Sequence, residues 1–156
     1  MRQKKREDSH SWESGFLAHR SSEAALIGLL IEHPPLFGRA ARIVTAGHFA
    51  DPGLKFIYQI LLEYHGNQTV WSWNSLVDTL TQRANKPPEL EYPQEYLGRL
   101  MAARARTADF ETCLTHLANL HIRRQMITRL PQLELDITNP SLSIPQILTS
   151  VKQLEH

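Results

Sequence analysis

Apolar residues recur along most of this chain at the spacing of an amphipathic helix. Leu54, Ile57, Tyr58 and Leu61 stand at i, i+3, i+4 and i+7, on one face of a helix predicted over 53–64. The β-branched run from Gln68 to Trp71 is short and lies between two predicted helices, so the predicted fold class is all-α. The same periodicity predicts further helices over 21–32, over 35–44, from Ser72 onward and around Leu97.

The last third of the chain predicts a long helix followed by a short one. Thr107 is a suitable N-cap for a helix that continues to about Asp136, a length of about 45 Å. Pro131 is predicted to kink this helix, because a proline in a helix interior costs about 3 kcal/mol. Ser143 is predicted to cap the last helix. The apolar stripe of the long helix consists of Phe110, Leu114, Leu117, Leu120, Ile127 and Leu130.

These patterns divide the chain into a compact helical bundle over 21–106 and a helical hairpin over 107–153. Two antiparallel helices cannot bury both of their faces against each other. The hairpin is therefore predicted to need a partner.

The two ends are predicted to lie outside the folded unit. Residues 1–20 are predicted to be a flexible basic tail, with no hydrophobic segment of the kind that marks a secretory signal. Residues 154–156, Leu-Glu-His, resemble the start of a C-terminal purification tag. The natural protein is accordingly expected to continue past Gln153.

Composition and charge exclude several classes of protein. The formal net charge of +1 gives no overall basic bias for neutralising phosphates. The single cysteine, Cys113, allows no internal disulfide and fits a reducing cytoplasm. The longest apolar run, from Ala24 to Ile31, is far shorter than the ~20 residues of a membrane span. The expected location is the cytoplasm of a bacterium, including one that hosts a phage or plasmid.

No catalytic, cofactor or metal site is predicted. The sequence contains no Gly-x-x-x-x-Gly-Lys-Ser/Thr loop for nucleotide phosphates. His116 and His121 are five residues apart and fall on different helix faces, while Cys113 with His116 would supply only two metal ligands. Cys113 lies beside the apolar stripe, where a structural thiol is the favoured interpretation. The histidines are interpreted as solvated or interfacial.

Two groups of residues allow more than one interpretation. Trp73 begins an apolar helix face and is interpreted as core, whereas Trp71 fits either core packing or contact with a partner. Arginines are concentrated in the second half, which favours solvated helix faces and interface ion pairs over a nucleic-acid footprint. These arginines are Arg99, Arg104, Arg106, Arg123, Arg124 and Arg129.

The order of several weak motifs resembles the N-terminal domain of DnaB-type replicative DNA helicases. The motifs are a Ser-Glu-Ala helix start with an internal glycine over Ser21 to Leu30, a Phe-x-Asp-Pro turn over Gly47 to Pro52, and Phe56-Ile57-Tyr58. The stretch from Ala118 to Ile127 is similar to the family's arginine-containing segment in the first hairpin arm. The chain departs from the family pattern at Ala25, Ala50, Leu54 and Pro131, which suggests a divergent member.

The resemblance implies a non-catalytic collar that assembles a helicase ring as a dimer or a trimer of dimers and docks primase or a helicase loader. ATP and Mg²⁺ would act only in a separate motor domain. The alternatives are a stand-alone phage or plasmid adaptor that binds a helicase or primase and, in third place, a small DNA-binding regulator. The residues predicted at the oligomer interface are Leu117, Leu120, Arg123, Arg124, Ile127, Leu130, Ile147 and Val151.

Overall fold

In the computed structural model, residues 22–153 are described, and every regular element among them is helical. This confirms the all-α prediction. The predicted basic tail, the Ser21 helix start and residues 154–156 lie outside the described residues. The helices are α1 (22–32), α2 (Phe37–Ile43), α3 (Pro52–Gly66), α4 (Trp73–Gln82), α5 (Pro93–Ala103), α6 (Phe110–Thr138) and α7 (Ile144–Lys152).

Side-chain caps fix the start of three of these helices. The Asp51 carboxylate accepts hydrogen bonds from the backbone N–H groups of Gly53 and Leu54 at 2.9 and 3.2 Å, which begins α3. Ser72 and Ser143 cap α4 and α7, each within a reciprocal capping box, as their sequence context predicts.

Two predicted helix ends are wrong. Thr107 does not cap the long helix, because it opens a 3₁₀ turn, Thr107–Asp109, and α6 begins at Phe110 without a side-chain cap. The helix predicted to end at residue 64 continues through Gly66 and is capped by Asn67. The reversal of the chain comes one residue later, at Gln68, whose φ of 55° lies in the left-handed region.

The core of the bundle lies around α1 and α3, and helices α2 and α4–α6 pack against it. Tyr58 is fully buried and donates a hydrogen bond to the carbonyl oxygen of Val44 at 2.6 Å. α1 and α5 approach closely at Gly28, where a Cβ atom would stand 2.6 Å from the carbonyl oxygen of Leu100. The glycine therefore permits a helix crossing that a larger residue would obstruct.

α6 belongs to both parts of the molecule. Its buried residues, Phe110, Leu114, Leu117 and Leu120, all lie in the first half of the helix, and the bundle core extends across the predicted boundary at 106/107. The helix then continues through Pro131 to Thr138, where α7 folds back against it.

Within the described residues, no helix combines the length and the apolar character that crossing a membrane requires.

Candidate interaction surface on the helical hairpin

The projecting half of α6 carries a row of exposed apolar side chains on one face, and Ile127 and Leu135, 70% and 64% exposed, lie outside this row. Ile122, Met126 and Leu130 follow one another at intervals of four residues and are 37%, 44% and 51% exposed. Ile137 continues the row near the end of the helix and is 60% exposed. Intervals of three and four keep side chains on one helix face, so these residues form a continuous apolar row.

α7 adds a second apolar row to the same hairpin. Ile144, Leu148 and Val151 stand at i, i+4 and i+7, and each is exposed. Ile147 is half-buried, and the guanidinium of Arg129 on α6 donates to the carbonyl oxygen of Gln153 at 2.9 Å. We refer to the two exposed rows together as the hairpin apolar surface: Ile122, Met126, Leu130, Ile137, Ile144, Leu148 and Val151.

The predicted interface residues differ in their burial, and only Leu130 and Val151 belong to the hairpin apolar surface. Leu117 and Leu120 are 0% and 6% exposed in the single chain, so their side chains have no surface to offer another subunit. Their prediction as interface residues is wrong, because helical periodicity does not distinguish burial by the bundle from burial by a partner. The predicted residues that are exposed are Arg123, Ile127, Leu130 and Val151.

The prediction of Trp71 as a possible partner contact is also wrong. Its side chain is 5% exposed and packs edge-on against Phe37 with ring centroids 5.3 Å apart. Trp73, interpreted from the sequence as core, is half-buried against the core cluster. Trp71 lies just before the Ser72 cap, outside the helical period of α4, so periodicity gave no sign of its burial.

Arg124 connects the hairpin to the bundle instead of facing outward. Its guanidinium donates to the Glu23 carboxylate at 3.1 Å and to the carbonyl oxygen of His48 at 3.0 Å. Glu23 is 1% exposed and also accepts hydrogen bonds from the backbone N–H groups of Ala50 and Asp51 at 2.9 and 3.3 Å. Sequence reasoning missed this buried carboxylate, because its partners lie 27 to 101 residues away along the chain.

Two histidines stack directly beside this ion pair. The rings of His48 and His121 are nearly parallel, with centroids 3.9 Å apart. Burial, followed by the proximity of His121 and then Arg124, lowers the pKa of His48 to about 4. Burial and then Arg124 also lower the pKa of His121. Both rings are therefore largely neutral at pH 7, and the Thr45 N–H donates to His48 Nδ1 at 3.0 Å.

The thiol and the other histidines form no reactive cluster among the described residues. Burial, followed by the nearby Asp109 carboxylate, raises the pKa of the Cys113 thiol, which disfavours the thiolate that a nucleophile requires. Within residues 22–153, no three side chains of the His, Cys, Asp and Glu types are close enough together to hold a metal ion.

A family model described as the DnaB-like helicase N-terminal domain matches residues 17–119. The chain belongs to this family. Its fold is also similar to the crystal structure of the N-terminal domain of DnaB helicase from Mycobacterium tuberculosis, with a TM-score of 0.70 and 12% sequence identity over 85% of this chain and 95% of that chain. No curated protein matches the sequence.

The family match ends within the anchored half of α6, before the exposed apolar row begins at Ile122. At 12% identity the structural likeness concerns the fold alone. Roles for individual hairpin residues in this DnaB-like domain therefore rest on its own geometry.

Proposed function

We propose that this domain is a collar of a replicative DNA helicase, in which hairpins of two subunits pair through the hairpin apolar surface. The paired hairpins assemble the ring as a dimer or a trimer of dimers, and the assembled collar docks primase or a helicase loader. The nucleotide chemistry, with ATP and Mg²⁺, belongs to the motor domain of the helicase.

The observation that carries this proposal is the change in polarity along one exposed face of α6. Thr115 and Asn119 occupy this face beside the bundle, and Ile122, Met126 and Leu130 occupy it beyond the bundle. A face that is exposed throughout yet apolar only along the projecting arm indicates a contact restricted to that arm. A second hairpin supplies a matching apolar face, since a two-fold interface uses the same surface on both subunits.

Paired substitutions on this face test the proposal. Met126→Asp with Leu130→Asp adds two carboxylates to the apolar surface, whereas Thr115→Asp with Asn119→Asp adds them to the polar part of the same face. Analytical ultracentrifugation should show self-association of the wild type and of the Thr115/Asn119 variant. The Met126/Leu130 variant should associate at least about tenfold more weakly, because burying an unpaired carboxylate costs more than ~1.4 kcal/mol.

All three proteins should retain the same helical circular dichroism, since the substituted side chains are exposed. A wild type that remains monomeric at high micromolar concentration would contradict hairpin pairing. Calorimetric titration with a primase and a helicase loader from the same source extends the test to docking. Equal binding by the wild type and the Met126/Leu130 variant would show that docking does not need the paired collar.

A further inference from the structure

We infer that Arg124 is a positioning residue that sets the direction in which the hairpin leaves the bundle. Its ion pair with Glu23 and its hydrogen bond to the His48 carbonyl hold three distant segments of the chain together. The orientation of the arm follows from the single-chain geometry. The consequence for pairing, described below, rests on the proposed function.

We call the contact of Arg124 with Glu23 and the His48 carbonyl the joint. The Glu23 carboxylate belongs to the bundle side of this joint. It lies in the first turn of α1 and is held by two backbone N–H groups from the turn that precedes α3. Its side chain is 2% exposed, compared with 34% for Arg124. A carboxylate buried to this degree needs a charged or hydrogen-bonding partner, and Arg124 reaches it from the hairpin.

Arg124 lies at the last point where α6 touches the bundle. Leu120 is the last buried residue of α6, His121 stacks on His48, and Arg124 follows within one helical turn. Beyond Arg124 the helix has no buried residue, exposes apolar side chains and is contacted by α7. The buried residues from Phe110 to Leu120 anchor the first half of α6, and Arg124 supplies the outermost contact, at the base of the arm.

The length of the arm makes small rotations at this joint important. From Arg124 to Thr138 the helix extends about 21 Å, so a tilt of about 10° moves its tip by about 4 Å. Neighbouring side chains on one helix face are separated by about 6 Å. A joint that allows such tilts would place the hairpin apolar surface out of register with a second copy. Without Arg124, pairing would have to order the arm as well as bury its surface.

Distance measurements on the dilute chain test the joint independently of association. Spin labels on Gln59→Cys in α3 and Glu134→Cys in α6, both exposed positions, report the arm's orientation in a Cys113→Ser background. We expect one narrow distance distribution for the parent chain and for Arg123→Gln, the matched loss of a neighbouring exposed arginine. Arg124→Gln should broaden the distribution by about 4 Å, as expected from the lever arm.

A double-substitution cycle separates positioning from general stability. Glu23→Gln should broaden the distribution as Arg124→Gln does, and combining the two should add little, because both remove the same ion pair. The double variant leaves no unpaired buried charge, so it remains informative even if Arg124→Gln alone loses helical structure. Unchanged widths in both Arg124→Gln and the double variant would overturn the inference, as would equal broadening by Arg123→Gln.

Sedimentation equilibrium of the same variants separates this inference from the proposed function. A wild type that associates, with Arg124→Gln weakened at least about fivefold, supports both the joint and its role in pairing. Broadening by Arg124→Gln in a wild type that never associates would refute hairpin pairing and leave the joint intact. If the wild type associates and Arg124→Gln keeps the distance width of the wild type, the role of Arg124 as a joint is refuted and hairpin pairing stands.

Discussion

The two halves of α6 differ in where their apolar side chains lie: in the first half they face the bundle, and in the second they are exposed. Between Phe110 and Leu120 the apolar side faces the bundle, and the exposed side carries polar residues such as Thr115 and Asn119. From Ile122 onward the exposed side becomes apolar, Ile127 and Leu135 add exposed apolar side chains elsewhere on the helix, and Arg124 forms its ion pair with the bundle. One helix thus completes the core of its own chain and presents an apolar surface that its own chain does not cover.

This difference separates the stability of the single chain from its association. Side chains in the anchored half lose solvent contact when one chain folds, so they contribute to the free energy of unfolding of the monomer. Apolar side chains in the projecting half keep much of their solvent contact in the monomer. Their contribution should appear only when a second molecule covers them.

The largest expected difference between the two halves of α6 is in the free energy of unfolding that a leucine-to-alanine substitution removes. Leu117→Ala should lower the free energy of unfolding by about 2–5 kcal/mol, because it leaves a cavity at a fully buried position. Leu130→Ala, at a half-exposed position, should lower it by less than about 1 kcal/mol. Urea unfolding followed by circular dichroism, at concentrations where the chain is monomeric, measures both values. Equal losses would show that the projecting half is also buried in the single chain.

The sequence predicted most of the fold because local chemistry specifies most of its elements. The spacing of Leu54, Ile57 and Leu61 predicted α3, and Ser72 and Ser143 predicted the starts of α4 and α7. These signals depend on neighbours within one or two helical turns. The Thr107 cap failed because the chain forms a 3₁₀ turn, Thr107–Asp109, before α6 begins at Phe110.

The candidate interaction surface was predicted less well, because it depends on which helix faces the bundle covers. Leu117, Leu120, Ile127 and Leu130 follow a helical period, yet the first two are buried and the last two exposed. Arg124 was predicted at an interface between subunits, and the structure pairs it with a carboxylate 101 residues away in its own chain. No local pattern in the sequence marks a pairing at that separation.

Two glycine substitutions test how closely the anchored side is packed. Gly28→Ala places a Cβ atom 2.6 Å from the carbonyl oxygen of Leu100 and 2.8 Å from the Cβ of Arg104, so α1 and α5 must separate at a cost of about 1–3 kcal/mol. Gly98→Ala lies at an exposed position of α5, where the added Cβ atom would contact nothing within 4 Å, so it should stabilise the chain by about 0.5–1 kcal/mol. The midpoint of thermal unfolding should therefore fall for Gly28→Ala and rise for Gly98→Ala, although the chemical change is the same. A neutral Gly28→Ala would show that the helix crossing adapts readily.

The last expected effect is a loss of stability in acid that depends on His48, which lies where the hairpin meets the bundle. The pKa of His48 is about 4 in the folded chain because of burial and the nearby His121 and Arg124, compared with 6.5 for the ordinary side chain. The unfolded chain therefore binds the proton first as the pH falls, and stability is lost progressively between pH 6.5 and pH 4.

His48→Asn places an amide oxygen near the position of Nδ1, where it can accept a hydrogen bond from the Thr45 N–H, and it removes the titrating ring. Between pH 7 and pH 5, the wild type should lose about 1–2 kcal/mol more stability than His48→Asn. Both proteins contain the Glu23–Arg124 pair and the same carboxylates, so the difference between their pH slopes isolates His48 from general acid unfolding. Parallel slopes in urea titrations across this range would show that protonation of His48 does not oppose packing of the hairpin against the bundle.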